Sequence, residues 1–101
     1  MIIVAGTFDV APEDRDAFLA GRAAQVARSR QEPGCLEYGF SVDPEVPGRV
    51  RLFERWESEE ALEAHIAGLA TATPDPSAPP PVPVLARELV RYRVSEAVPM
   101  G

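Results

Sequence analysis

The sequence predicts an α+β domain of the ferredoxin-like type, in which two helices cover one face of a four-stranded antiparallel sheet. Two observations carry this prediction. Four segments alternate apolar and polar residues, as strands do, and two segments between them repeat apolar residues every three or four positions, as helices do. Their order along the chain is β-α-β-β-α-β. The length of 101 residues and the hydrophobic fraction of 46% suit a single domain over 1–101.

The first half of the chain predicts a strand, a helix and a second strand. Residues 2–10 place apolar side chains on one face, namely Ile2, Val4, Phe8 and Val10. A helix should run from Pro12, which suits a first helical turn, to about Arg30. The run EPG at 32–34 ends it, because the residue before a proline disfavours helix and glycine permits an exit turn. Residues 35–42 (CLEYGFSV) then alternate strictly.

A hairpin follows, because residues 43–48 (DPEVPG) have turn chemistry and residues 49–56 (RVRLFERW) alternate as a return strand. Only one parity of pairing keeps the apolar faces of both strands on the same side. A loop over 43–49 then predicts four pairs across the hairpin: Val42 with Val50, Phe40 with Leu52, Tyr38 with Glu54, and Leu36 with Trp56.

The second half predicts a helix, a proline-rich loop and a last strand. Ser58 is a suitable N-cap for a helix that fades near Thr71. Residues 72–83 hold six prolines and form either a polyproline-like loop packed across the domain or a mobile flap. Residues 88–94 (ELVRYRV) form the last strand, before a tail over 95–101. In this strand the residues expected to face the helices are Val90, Tyr92 and Val94.

Glu54 is the one formally charged residue on the predicted helix-facing side of the sheet. A buried carboxylate without a partner is costly, so Glu54 must be bonded or protonated. It is either a structural group that bonds backbone N–H groups or an arginine, or a pocket group that acts as a base or orients His65. Under both interpretations Tyr38 and His65 are its expected partners.

His65 is the only histidine and lies beside the apolar stripe of the second predicted helix. Since histidine exchanges protons near neutral pH, His65 is either a half-buried helix residue or a proton acceptor in a pocket. Aromatic side chains on the predicted sheet face either fill the core or line a cleft for a planar ligand. They are Phe8, Tyr38, Phe40, Trp56 and Tyr92.

Composition excludes several classes of function. A net charge of −6 opposes binding to nucleic acid. Cys35 is the sole cysteine, so we expect neither an internal disulfide nor a cysteine-rich zinc site, and no other metal-ligand cluster or phosphate-binding loop is present. No signal-like segment and no apolar run near the length of a membrane helix occurs. We therefore expect a soluble, cytoplasmic protein that does not bind membranes.

Two stretches, EPGCLEYGF at 32–40 and RLFERWESEEALEAH at 51–65, resemble the antibiotic biosynthesis monooxygenase (ABM) superfamily, and within it the proteins proposed to be quinol monooxygenases. The resemblance extends over the first two thirds of the chain and the last strand. It implies a homodimeric α+β barrel, in which two sheets pack face to face and each monomer keeps a pocket between its sheet and its helices. The chain departs from haem-degrading relatives because it contains no asparagine and a single histidine.

The resemblance also implies a function, a cofactor-independent monooxygenase. Such an oxidoreductase oxidises a phenolic, quinol or polyketide-like aromatic compound with O₂, without metal or flavin. His65 is then the expected proton acceptor and Glu54 its orienting group. The expected substrate-binding residues are Tyr38, Phe40, Trp56, Leu62 and Tyr92. Two alternatives stay open, a non-catalytic small-ligand-binding or stress-related domain and a polyketide cyclase-like enzyme.

Overall fold

The computed structural model describes residues 1–74 and 76–101 and has the predicted β-α-β-β-α-β order. The strands are β1 (Ile2–Asp9), β2 (Cys35–Val42), β3 (Arg49–Trp56) and β4 (Ala86–Arg93), and the helices are α1 (Arg15–Ser29) and α2 (Glu59–Thr71). A short 3₁₀ turn at Pro12–Asp14 leads into α1. The strands form one antiparallel sheet in the order β2-β3-β1-β4, which confirms the ferredoxin-like arrangement.

The core lies between the sheet and the two helices. From α1 it receives Phe18 and from α2 it receives Leu62, both almost fully buried. The remaining buried apolar residues come from the strands or follow them directly: Ile2, Phe8, Val10, Tyr38, Val50, Leu52 and Trp56. Their alternation along each strand is the pattern from which the fold was predicted. Ser58 begins α2 as expected, since its hydroxyl accepts a hydrogen bond from the Ala61 N–H.

The register of the β2–β3 hairpin agrees with three of the four predicted pairs, those of Val42, Phe40 and Tyr38. The fourth prediction is wrong, because Cys35 rather than Leu36 lies opposite Trp56. An irregularity between Cys35 and Glu37 shifts the register there. The shift leaves the Leu36 side chain exposed. A bulge of this kind adds a residue to one strand only, so parity alone does not predict it.

The predicted phase of β4 is wrong. In the observed register Tyr92 pairs with Ile3 and Val90 with Ala5, on the face away from the helices. The helix-facing row instead carries three arginines, Arg87, Arg91 and Arg93, which pair with Phe8, Val4 and Ile2. Glu54 is therefore not the only charged residue on that side. The alternative phase is stabilised because Arg91 and Arg93 form ion pairs with acidic side chains of α2.

The turn between α1 and β2 is held by backbone geometry that requires glycine. Gly34 has a φ of +83°, in the left-handed region that L side chains rarely adopt. A Cβ atom at this position would lie 2.6 Å from the Cβ of Ala61 in α2. The Gly34 carbonyl also accepts a hydrogen bond of 2.8 Å from the Glu57 N–H, just before α2. The turn is thereby fixed against the start of α2.

The proline-rich segment predicted over 72–83 includes Asp75, which lies outside the described residues. Of the rest, Val82 is half-buried against the core, and Pro79–Pro81 border a shallow cleft with Phe18 and Arg22 of α1. These contacts favour a loop packed across the domain. The tail over 95–101 is exposed. No helix in the described part of the chain is long and apolar enough to cross a membrane.

Gly34→Ala should destabilise the fold, because the substitution combines a strained φ with a steric overlap against Ala61. We expect a loss of about 1–3 kcal/mol in the free energy of unfolding, measured by urea denaturation. Gly21→Ala is the matched control. A Cβ there meets nothing within 4 Å, and alanine in an exposed helix should add about 0.5–1 kcal/mol. Equal stability of the two variants would contradict this account of the turn.

Candidate functional site

A cavity of about 520 Å³ opens between the sheet and the two helices. Its apolar wall comes from strands and helices alike, and includes Val4, Phe8, Phe40, Leu52, Leu62, Ile66 and Leu69. Its polar groups are Arg22, Gln25, Tyr38, Glu54, His65, Arg87 and Arg91. A largely apolar cavity with a few convergent polar groups is the usual form of a small-molecule site. The volume lies within the common range for such sites, roughly 300–1,000 Å³.

His65 lies on the cavity wall, where α2 meets the turn after α1. Its Nδ1 atom is 2.6 Å from Oε1 of Glu32, a distance typical of a charge-assisted hydrogen bond. The ring is buried between two aromatic side chains, with its centroid 4.7 Å from that of Trp56 and 5.3 Å from that of Tyr38. With Glu32 ionised, Nδ1 carries the proton and donates it to the carboxylate. The neutral imidazole then keeps its lone pair on Nε2.

Glu32 is the partner of His65 that sequence reasoning missed. The sequence assigned it only the role of ending α1, as the first residue of the EPG run. In the structure the Glu32 backbone is fixed on both sides, since its N–H donates to the Ser29 carbonyl and its own carbonyl accepts from the Cys35 N–H. The fixed backbone places the side chain within hydrogen-bond distance of His65. The sequence shows only that a carboxylate lies beside the Pro33–Gly34 turn. It does not show that α2 packs against this turn.

Glu54 is buried, as its position in β3 predicted, but its hydrogen-bond partner is Trp56. The indole Nε1–H donates to Oε1 of Glu54 over 2.9 Å. The same oxygen lies 3.8 Å from Nε2 of His65, an electrostatic contact beyond hydrogen-bond distance. Burial raises the pKa of the Glu54 carboxyl, and Glu32 adds to the increase. The Trp56 N–H and a positive charge on His65 both oppose it. Glu54 thus lies near His65 but forms no hydrogen bond with it.

Tyr38 lies opposite Glu54 on the neighbouring strand, yet the expected bond between their side chains is absent from the described structure. The Tyr38 hydroxyl instead accepts a hydrogen bond of 2.6 Å from Nε2 of Gln25 in α1. Burial raises the pKa of the Tyr38 hydroxyl, and the bond from Gln25 partly opposes that increase. Tyr38 remains protonated at neutral pH and can present a donor to the cavity.

The structure brings together most of the residues predicted for the site. Glu54, His65, Tyr38, Phe40 and Leu62 all line the cavity. Trp56 is fully buried and lies behind Glu54 rather than on the wall. The placement of Tyr92 in the cavity is wrong, because β4 turns this half-exposed side chain to the opposite face of the sheet. In the described residues no group of three or more histidine, cysteine or acidic side chains is arranged to hold a metal ion.

A model of the antibiotic biosynthesis monooxygenase family matches residues 1–68. This range contains His65 and the two carboxylates beside it, Glu32 and Glu54. An uncharacterized protein from Synechocystis sp. is 36% identical over 64 residues, which are 63% of this chain and 44% of that protein. The chain thus spans less than half the length of the curated relative it matches.

Solved structures share the fold over nearly the whole chain. A proposed antibiotic biosynthesis monooxygenase from Deinococcus radiodurans has a TM-score of 0.76 at 23% identity, covering 100% of this chain and 99% of its own. The haem degrader MhuD from Mycobacterium tuberculosis, with two haems bound in its active site, has a TM-score of 0.69 at 16% identity. That match covers 98% of this chain and 100% of MhuD. At these identities the likeness extends to the fold alone.

Glu54→Gln should remove a pH-dependent penalty from the folded state. A carboxyl whose pKa is raised on folding favours the folded state below its unfolded pKa, near 4.5, and that contribution is lost as the pH rises through the folded pKa. Glutamine keeps an acceptor for the Trp56 N–H but does not ionise. The melting temperature of the variant minus that of the wild type should therefore increase by a few degrees between about pH 4 and pH 8. A difference that is constant with pH would contradict the assigned cause.

Proposed function

The chain belongs to the antibiotic biosynthesis monooxygenase family, and from this premise we propose that it oxidises a phenolic or quinol compound with O₂ in the cavity beside His65. One observation carries the proposal. The imidazole of His65 is bonded to a carboxylate through Nδ1, while the residue lines a cavity large enough for a small aromatic molecule. This is the arrangement of an oriented general base facing a binding site.

The first step is proton transfer from the substrate hydroxyl to His65. Since Nδ1 is committed to Glu32, the acceptor is Nε2. The imidazolium that forms lies between two carboxylates, with Glu32 Oε1 at 2.6 Å from Nδ1 and Glu54 Oε1 at 3.8 Å from Nε2. The two carboxylates thus lie beside the positive charge that forms on the buried ring when it accepts the proton.

Deprotonation prepares the substrate for O₂. A phenolate is more electron-rich than the phenol, so it transfers an electron to O₂ more readily. Recombination of the two radicals forms the carbon–oxygen bond, and loss of water completes the reaction. For a quinol the balance is one quinol and one O₂ to one hydroxyquinone and one water. The apolar wall contributed by Phe40, Leu52 and Leu62 limits the access of water to the intermediates.

Within this proposal each residue around the cavity has a separate role. Glu32 is a positioning residue that fixes the tautomer of His65 and does not itself line the cavity. Glu54 stabilises the imidazolium, and Trp56 positions Glu54. Tyr38 offers a hydroxyl donor to the substrate, and Phe40 and Leu62 contribute apolar contacts. The reaction as proposed uses O₂ as its only co-substrate.

Haem degradation is a weaker candidate for this chain. Both ring nitrogens of His65 already face carboxylate oxygens, at 2.6 Å and 3.8 Å, so coordination of a haem iron would require a rearrangement of Glu54 or Glu32. His65 is also the only histidine in the sequence. Phenol chemistry needs no such rearrangement, because a hydroxyl proton can be accepted by the ring where it stands.

We also propose that two copies associate through the sheet face opposite the helices. On that face Phe53 pairs with Ala5, and Ala5 in turn pairs with Val90. Phe53, Val90 and Tyr92 are all between 37% and 50% exposed. A contiguous apolar patch on one side of a thin sheet favours burial against a second surface of the same kind. The result would be a homodimer with its two cavities on the outer sides.

His65→Gln should abolish oxygen consumption. General-base catalysis is worth roughly 10²–10⁴-fold, so we expect a loss of at least about 100-fold in kcat/KM with a panel of quinols and anthrones. Oxygen uptake is measured with an electrode, and circular dichroism checks that the variant is folded. Wild-type uptake no greater than that of the variant would overturn the oxygenase proposal. Conversion of substrate under strict anaerobiosis would identify a cyclase-like activity, and binding without turnover would identify a ligand-binding domain.

Glu32→Gln tests the positioning role in the same assay. Loss of a group that orients a catalytic histidine typically costs about 10–100-fold. Because Glu32 does not line the cavity, the loss should appear in kcat with KM nearly unchanged. A change confined to KM would contradict the assigned role.

Phe53→Glu should convert a dimer to monomers, because it places a charge in the centre of the proposed apolar contact. Sedimentation velocity at micromolar concentration measures the change. Val46→Glu is the matched control, since Val46 is equally exposed, at 37%, but lies in the β2–β3 loop. A wild-type protein that sediments only as a monomer would refute the proposed association.

A further inference from the structure

Two arginines on the cavity wall, Arg22 and Arg87, have no carboxylate within 4 Å among the residues that the structure describes. Most other arginines of the chain are in ion pairs, namely Arg15, Arg49, Arg51, Arg55, Arg91 and Arg93. Acidic residues outnumber arginines, 16 to 10, so partners are abundant. Cations left unpaired in such a chain, and on a cavity wall, point to an anionic ligand.

Arg22 is held in place without using most of its donors. Its guanidinium carbon lies 4.8 Å from the ring centroid of Phe18 and 5.7 Å from that of Phe8. Cation–π contacts use none of the oxygen acceptors that a guanidinium can bind, so Arg22 still has N–H donors to offer a ligand. One N–H group lies 3.4 Å from Oε1 of Gln25, which in turn donates to Tyr38. Arg22 is thus positioned in advance for a planar bidentate acceptor.

Arg87 approaches the same part of the cavity from the sheet. It pairs with Phe8 across β1 and β4, so Phe8 lies between the two arginines. Both arginines and Phe8 also border a smaller cleft of about 380 Å³, formed with Val84–Ala86, beside the main cavity. The positive charges therefore meet where the two clefts adjoin.

The strand register separates this positive end from the His65 end. Glu54 pairs with Val4 of β1, whereas Arg87 pairs with Phe8, four residues further along the same strand. At about 3.3 Å per residue the two rows are roughly 13 Å apart. One end of the cavity thus carries His65, Glu54 and Arg91, and Arg91 is already paired with Glu59 and Glu63. The other end carries Arg22 and Arg87. Side chains from both rows project into the cavity, and this row spacing leaves room between them for a molecule of about two fused rings with a polar group at each end.

We propose that the ligand is an aromatic acid, with an ionisable hydroxyl at the His65 end and a carboxylate held by Arg22 and Arg87. This inference rests on the proposed function, since it assigns the substrate class of the same cavity. Guanidinium groups bind carboxylates through paired, charge-assisted hydrogen bonds. The overall charge of −6 would repel an acid, so the two arginines supply the local attraction that the rest of the surface lacks.

Titration calorimetry of the full chain with two matched probes tests the proposal. The probes are 6-hydroxy-2-naphthoate, which has a hydroxyl and a carboxylate at opposite ends of two fused rings, and its methyl ester. The acid should bind the wild type at least about 10-fold more tightly than the ester, as expected for charge-assisted hydrogen bonds. In the double variant Arg22→Gln/Arg87→Gln the ratio should fall to about one, while affinity for the ester is retained.

Arg28→Gln is the control for a change of surface charge, because it removes one positive charge by the same substitution from an exposed position on α1 outside the cavity. It should keep the preference for the acid. Equal binding of acid and ester to the wild type, a preference that survives in the double variant, or no binding of either probe would each overturn the proposal. Oxygen uptake with neutral quinols distinguishes a failure of the arginine-site proposal from a failure of the oxygenase proposal. Oxygen uptake without a preference for the acid would refute only the proposed arginine site. A preference for the acid without oxygen uptake would refute only the proposed oxygenase activity.

Discussion

The contact between Glu32 and His65 is the constraint on which the arrangement of the cavity depends. It connects the turn after α1 to the middle of α2, two segments 33 residues apart in the chain. The contact distance is possible because Gly34 lets α2 approach closely at Ala61, where a side chain would intervene. A buried histidine needs a partner for its N–H group, and Glu32 supplies it. The position of α2, and with it one wall of the cavity, follows from that requirement.

The arginines of β4 differ in their surroundings, because two are paired with α2 and one faces the cavity. Arg91 and Arg93 connect β4 to Glu59 and Glu63 of α2, which closes the edge of the sheet with exposed ion pairs of modest individual value. Further along β4, Arg87 has no such partner in the described structure and faces the cavity instead. One strand therefore serves both purposes, stabilising the helix layer at one end and presenting a cation at the other.

The sequence predicts those features that follow from periodicity. Alternation in β3 placed Glu54 on the helix-facing side, and the pairing of Tyr38 with Glu54 followed from parity. The β4 segment alternates arginine with apolar residues, so periodicity gives two phases and does not choose between them. The choice depends on Glu59 and Glu63, which belong to another element. Glu32 was missed for a related reason. It lies in a turn, where residue periodicity gives no information about which residue a side chain contacts.

The geometry of His65 and Glu54 also supports the proposal of a ligand with a weakly acidic hydroxyl. With Nδ1 donating to Glu32, neutral His65 has no proton to offer Glu54 through Nε2, and the two groups lie 3.8 Å apart rather than in a hydrogen bond. Burial raises the pKa of Glu54, so an unshared negative charge there is costly. A proton that arrives on Nε2 from a ligand relieves that cost, because the imidazolium then neutralises the carboxylate. In the proposed reaction, the protein would therefore gain electrostatic stabilisation when the ligand hydroxyl is ionised, because the positive charge forms on a buried ring beside Glu54.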